Sequence, residues 1–217
     1  MPFDFLRRRN SGGDAVRAPS GTNDRPHATT VVRLDGLTEE WRLVGQMHLT
    51  ARLSDALNKR EALPISDVSW APIDGSSGFT PVPGLKSVDP YDLIVVLAGE
   101  GSQGPLTDAE RDAYKVHRIA YDVALEAPPY RIVGTVYLLP GMEPARLLDR
   151  ATEMFLPVVD GVVSAGDRVV SEPGLDAILV NRFYLRGVQQ VDKRTGEPVQ
   201  KLPGAPLGGV SWQDRSR

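Results

Sequence analysis

The chain has 217 residues, 41% of them hydrophobic, with no cysteine and three histidines. That length and apolar content suit one or two packed domains and exclude collagen-like, disulfide-stapled and wholly disordered chains; a thiol nucleophile or thiolate metal site is excluded too, and three His leave little for zinc. Lys+Arg number 25 against 28 Asp+Glu, unevenly: residues 1–28 hold five Arg against three Asp and residues 192–217 five basic against three acidic side chains, so each end is +2 and the body (−3 − 4) is −7.

An acidic body is a poor binder of duplex nucleic acid, which needs many Lys and Arg on one face. No run of about 18 apolar residues occurs, so no membrane-spanning helix is expected. Residues 1–28 read as a disordered N-terminal segment, polar and rich in Gly, Pro and Ser from residue 10 onward. The start lacks the apolar core of a secretory signal, which makes the cytoplasm the expected compartment. Phe3, Phe5 and Leu6 followed by Arg7, Arg8 and Arg9 form a short apolar-then-basic peptide. It is a candidate for weak contact with an anionic membrane surface or a partner groove.

The next feature is an internal duplication. Trp41–Ala51 aligns with Tyr130–Pro140, matching Arg42/Arg131, Val44/Val133, Gly45/Gly134 and Leu49/Leu138. Arg52-Leu-Ser-Asp55 then matches Arg146-Leu-Leu-Asp149, and Leu63-Pro-Ile-Ser-Asp67 matches Leu156-Pro-Val-Val-Asp160. Weaker echoes pair Val32–Asp35 with Val123–Glu126 and Asp92–Val96 with Asp176–Val180. Self-similarity at a spacing of about 90 residues means two copies of one unit.

Within each copy, residues 29–35 and 117–126 alternate as strands do, and 42–50 puts Leu43, Gly45, Met47 and Leu49 on one face, as Ile132, Gly134, Val136 and Leu138 lie in the second. A glycine at the same strand position twice predicts a bulge or the close approach of another backbone. A short helix follows, with Leu53, Ala56 and Leu57 apolar, and Leu147, Leu148 and Ala151 in the second copy. Strands at 62–70 (155–163) and 91–98 (176–185) complete each unit, and residues 71–90, with four Pro and three Gly, read as an exposed loop.

The expected fold is therefore α+β and strand-dominated: a tandem ββαββ duplication (29–98 and 117–191) forming a pseudo-twofold pair, with partly closed small β-barrels as a variant. Residues 99–116 form a linker with a short helix, and 192–217 a flexible C-terminal tail. The outer face of the second central strand (Val133, Thr135, Tyr137, Leu139) needs covering, which the sister unit would supply.

The stretches Val44–Leu49, Arg52–Asn58 and Leu63–Val68 together resemble the signature of an uncharacterised bacterial family, a domain of unknown function. The second copy departs from it at Leu148, Thr152 and Gly161. The resemblance implies no activity and assigns no functional residue.

Gly99-x-Gly101-x-x-Gly104 has the spacing of a dinucleotide-binding turn after a buried strand, with Thr107 and Glu110 as a capping box. Pro105 and the acids Asp108, Glu110 and Asp112 oppose a phosphate there, so an inter-repeat linker is the preferred reading. Asp55 and Asp149 fit i,i+3 ion pairs with Arg52 and Arg146. Asp67 and Asp160 fit a bulge or turn, and across a pseudo-twofold axis they would form a carboxylate dyad or metal site. No Ser-His-Asp spacing, P-loop or HExxH occurs, and no catalytic residue, cofactor or metal ligand is assigned. The leading reading is a non-enzymatic cytoplasmic interaction or assembly protein with a protein partner or self-association. A small-molecule or nucleotide module at the inter-repeat cleft or Gly99–Gly104, and a hydrolase or metal enzyme using Asp67 and Asp160, are the alternatives.

Overall fold

A computed structural model describes residues 29–102, 118–149, 153–192 and 194–199. The N-terminal peptide, the linker residues from 103 to 117 with Gly104, and most of the C-terminal tail lie outside the described residues. The chain is strand-dominated: β1 (Thr30–Leu37), β2 (Trp41–Leu49), helix α1 (Leu53–Asn58), β3 (Leu63–Pro64), β4 (Ser66–Pro72), β5 (Thr80–Pro81), β6 (Ser87–Val88), β7 (Val95–Ala98), β8 (Ile119–Ala127), β9 (Tyr130–Leu138), β10 (Phe155–Ala165), β11 (Arg168–Val169), β12 (Ala177–Asn181) and β13 (Gly187–Gln190).

One large sheet runs in the order β13-β8-β9-β10-β12-β7-β1-β2-β4-β5, with β11 beside β10 and every pairing among the described strands antiparallel. Among the described strands the path is open from β13 to β5, so no barrel closes.

The middle of this sheet shows why it holds two cores. Side chains alternate between faces along a strand. In β7, Val96 and Ala98 enter one apolar cluster while Val95 and Leu97 enter another; in β12, Ala177 and Leu179 join the first, Ile178 and Val180 the second. Each face of the sheet thus carries its own core, and β7 and β12 are buried throughout. Their apolar runs, VVLA and AILV, suit strands covered on both sides. The halves also exchange residues: Met154 and Phe155 fill the N-terminal core, Leu37 and Ile94 the C-terminal one.

The inward faces of β2 (Leu43, Gly45, Met47, Leu49) and β9 (Ile132, Gly134, Val136, Leu138) are buried as the alternation predicts. Four expectations are corrected. The halves join edge to edge through β7 and β12, and the outer face of β9 is covered only in part: Thr135 is buried, but Tyr137 and Leu139 stay 50% and 47% exposed. The C-terminal half has no α-helix at 147–151 among its described residues: Pro144–Leu148 forms a 3₁₀ turn with Leu147 buried and Leu148 exposed, because Pro140, left-handed Gly141 and Pro144 spend the connection on tight turns. Residues 71–90 are not plain loop, since they hold β5 and β6 and place Val88 and Pro90 in the interior. Finally, 92–96 and 176–180 hold different places in the sheet: β7 lies beside β1, whereas β12 lies beside β10 and it is β13 that lies beside β8.

A different correspondence is visible. Leu63-Pro64 pairs with Val88-Ser87, and Leu156-Pro157 pairs with Val180-Leu179. After each pair comes a one-turn 3₁₀ helix, Pro90–Asp92 or Arg182–Tyr184, then β7 beside β1 or β13 beside β8. Beyond β13 the chain stays hydrogen-bonded into the tail: Asp192 N–H donates to Glu197 O at 2.9 Å and Val199 N–H to Gln190 O at 3.0 Å.

Candidate contact site at the junction of the halves

The glycine-rich turn is occupied by the protein's own groups. Gly101 has φ 78° and donates its N–H to Asp176 Oδ2 at 3.0 Å, while Ser102 donates N–H and Oγ–H to Gly99 O at 3.1 and 2.6 Å. Ser102 O in turn accepts the first helical N–H of α1, from Leu53, at 3.2 Å. The Gly101 N–H, one of the donors a phosphate would need, is thus already bonded to a carboxylate. The strands on either side, β7 and β8, are separated by β12, β10 and β9, so they form no parallel crossover.

Asp67 and Asp160 are both exposed, and four strands (β12, β7, β1 and β2) stand between theirs. The sheet does not bring them together as a dyad. Asp67 lines an open groove of about 450 Å³ with Ser66, Ser69, Pro81, Pro83 and Lys86. Each aspartate sits in a bulge: β4 and β10 carry one extra residue opposite Gly45 and Gly134 respectively. Arg52 and Asp149 flank the short helical turns as caps, with Asp55 in the first turn of α1 and Arg146 in the last turn of its counterpart. Among the described residues no group of three or more His, Asp or Glu is placed to hold a metal, and no helix is long and apolar enough to cross a membrane.

The sequence reading passed over the two 3₁₀ turns, and they build the most distinctive surface. Asp89 Oδ1 accepts the N–H of Tyr91 at 2.9 Å; Asn181 Oδ1 accepts the N–H of Phe183 at 3.0 Å. These are Asx caps, in which a short side chain satisfies a backbone donor two residues on. Asn181 is wholly buried and also donates from Nδ2 to Leu93 O at 2.8 Å, clamping the first turn to the second. The caps bring the Tyr91 and Phe183 rings into a stack, centroids 5.8 Å apart and 15° between planes. Tyr184 Oη donates to Tyr91 O at 2.9 Å and fixes the pair from below.

Both rings face solvent, Tyr91 at 44% and Phe183 at 40% exposure. The Arg60 guanidinium lies 5.7 Å from the Phe183 centroid, within cation–π range. Arg186 Nη1 donates to Phe183 O at 3.3 Å. Arg182, next in the chain, is half-buried, and that burial pushes its guanidinium below the usual range against the pull of Glu153 and Asp149. Its Nε is buried with no hydrogen-bond partner. The signal for this site was present as Asp89-Pro-Tyr91 and Asn181-Arg-Phe183, an Asx residue two before an aromatic. Its meaning depends on the fold, which sets the two turns side by side.

Comparison with protein-family models, with curated proteins and with solved structures gives no match.

Proposed function

We propose that this chain is a non-enzymatic interaction or assembly protein that engages a protein partner through the stacked Tyr91–Phe183 surface. The observation that carries the reading is that stack: two large aromatic side chains on turns capped by Asp89 and Asn181 and clamped together by the buried Asn181 amide, yet left open to solvent. Aromatic and Arg anchors of this kind dominate binding energy where proteins meet. A cytoplasmic setting belongs to the proposal and rests on the sequence alone, as does kinship with the uncharacterised bacterial family that the signature resembles.

The proposal includes a duplicated origin, two copies of one strand-rich unit related by a pseudo-twofold axis. Three repeated devices support it: the bulge opposite a glycine, the Leu-Pro strand pairing and the Asx-capped aromatic turn. On this reading the contact surface lies where equivalent turns of the two copies meet.

The test is capture from a native lysate by the wild-type chain and by Tyr91→Ser/Phe183→Ser, alongside light scattering of both. Expected is a partner, or self-association, present with the wild type and lost with the double variant. A strict monomer that retains nothing, or a double variant that retains the same partner equally well, overturns the reading.

A further inference from the structure

The N-terminal half carries a second aromatic surface, separate from the Tyr91–Phe183 stack. Trp41 and Trp70, the two described tryptophans, meet on the neighbouring strands β2 and β4 with ring centroids 5.1 Å apart and 31° between planes, and each stays 36% exposed. Proteins mostly bury tryptophan. Thr38 N–H donates to Trp41 O at 2.8 Å and Trp41 N–H to Thr38 Oγ1 at 3.0 Å, which fixes the turn between β1 and β2; the same turn exposes Glu39 and Glu40. We infer that this surface docks a segment of the chain itself, the apolar-then-basic run Phe3, Phe5, Leu6, Arg7, Arg8 and Arg9. The inference is independent of the function proposed above.

The surface is acidic after each nearby cation is counted. Arg42 follows Trp41 on the opposite face of β2, where Asp35 and Glu172 hold it. Arg168 donates to Ile73 O and faces Asp74. Lys86 shares the groove of Asp67. Glu39 and Glu40 are left with no ion pair or side-chain hydrogen bond among the described residues. Residues 3–9 carry three Arg against Asp4, a charge of +2. An arginine can lie over an indole ring and pair with a carboxylate at once, while Phe and Leu pack against the remaining ring surface.

Reach and direction single out this segment. β1 starts at Thr30, and its far end adjoins the Trp41 turn, 8 residues or about 25 Å away. The intervening residues 10–29 can span up to about 70 Å. A tether of this order gives an effective concentration of about 1 mM, so a Kd of about 0.3 mM covers the pair in about three-quarters of molecules. The C-terminal tail is the poorer occupant. It departs from Val199 beside Gln190 of β13, at the opposite edge of the sheet from β4, and its Lys201, Arg215 and Arg217 are not consecutive.

The test uses the full chain with Trp212→Phe, which leaves Trp41 and Trp70 as its only indoles. Acrylamide quenching should rise about two- to threefold in Phe3→Ser/Phe5→Ser/Leu6→Ser and in Arg7→Gln/Arg8→Gln/Arg9→Gln, with melting unchanged. Raising salt from about 50 to 500 mM should move the intact chain toward the variants. A labelled synthetic peptide of residues 1–12 should bind the chain carrying all six replacements with Kd below about 1 mM, and the chain with its own segment intact about fourfold more weakly. Glu39→Gln/Glu40→Gln should weaken peptide binding about three- to tenfold. These exposed positions keep the test valid should Trp41→Ser, expected to weaken it further, fail to fold.

Unchanged quenching in both segment variants, no saturable peptide binding, equal binding by the two chains, or binding undiminished by the Glu39/Glu40 variant overturns the inference. Shielding that grows with protein concentration overturns it as well, since a contact within one chain does not depend on concentration. So does shielding seen only with phosphatidylserine vesicles present, which assigns the segment to a membrane surface.

Discussion

Asp67 and Asp160 hold the same left-handed backbone, φ 51° and 48°, each in a bulge that faces a glycine on the neighbouring strand. Aspartate tolerates that conformation better than most side chains because its carboxylate bonds locally. The extra residue pushes the bulged strand toward its partner, and the glycine opposite makes room.

The two glycines differ in what they protect. A Cβ on Gly134 would lie 2.6 Å from Val158 Cγ1, 2.8 Å from Gly161 Cα and 3.0 Å from Val159 O. One on Gly45 would first meet Ile65 Cδ1 at 2.6 Å and Cγ1 at 2.7 Å, which can rotate away, with Ser66 O at 3.0 Å. Gly134→Ala should therefore cost about 1–3 kcal/mol and Gly45→Ala less. Asp67→Gly and Asp160→Gly should be close to neutral, while valine at either place should cost about 1–2 kcal/mol. Urea unfolding at constant m measures all of these; equal costs for the two alanines would remove the distinction between backbone and side-chain crowding.

A second repeated contact has unequal strength in its two places. Arg42 donates from Nε and Nη2 to Asp35 at 2.9 and 2.7 Å, with side-chain exposures of 19% and 11%, whereas Arg131 Nε stands 3.6 Å from Glu126 with both about half exposed. The Asp35 hydrogen bonds hold Arg42 charged above its ordinary range despite desolvation, and Arg42 also reaches Val170 O and Glu172 in the other half. A double-mutant cycle should give about 1.5–3 kcal/mol for Asp35–Arg42 and under about 1 for Glu126–Arg131. Equal couplings would mean that burial and bidentate geometry add nothing here.

These pairs show how far the sequence could be read. Alternation located β1, β2, β8 and β9 and their buried faces, and the repeated glycine pointed to the bulges, because period and backbone freedom are local properties. Partner choice is not local. Nothing in Val95–Ala98 or Ala177–Asn181 says that each crosses to the other half, and their resemblance suggested equivalence although one lies beside β1 and the other beside β10. Asn58 illustrates the same limit. Its Oδ1 accepts the N–H groups of Met154 and Phe155, both at 2.8 Å, a duty toward the other half that the residues of its own unit do not reveal. The junction site escaped for the same reason, since Tyr91 and Phe183 form one surface only after that exchange.

Tyr130 gives a pH prediction. Its ring is 1% exposed, its hydroxyl donates to Thr38 O, and burial raises its pKa above the ordinary value. An unfolded tyrosine releases its proton near pH 10. Below that both states are protonated and the contribution is fully present; above it the unfolded chain loses a proton that the folded chain keeps. Stability should therefore fall as pH rises past about 10, by up to about 1.4 kcal/mol per pH unit from this group. Tyr130→Phe should cost about 1 kcal/mol at neutral pH, from the donor lost to Thr38 O, and flatten the alkaline slope. Unfolding curves from pH 8 to 11 for both chains test it, and parallel slopes would remove Tyr130 from the account.

Arg60 separates stability from contact. It follows the end of α1 at φ 62°, its N–H donating to Leu57 O at 3.2 Å, a place where helices commonly end in glycine. A side chain there costs about 1–2 kcal/mol relative to a residue without Cβ, partly offset by the greater freedom glycine has when unfolded. Arg60→Gly should therefore leave the fold as stable or up to about 1 kcal/mol more stable, while stripping the cation from Phe183. Thermal unfolding read beside partner capture distinguishes the two roles. A loss of more than about 1 kcal/mol would mean that the guanidinium holds the fold together; a chain equally or more stable but weaker in binding would mean that the strain is kept for what the arginine touches outside it.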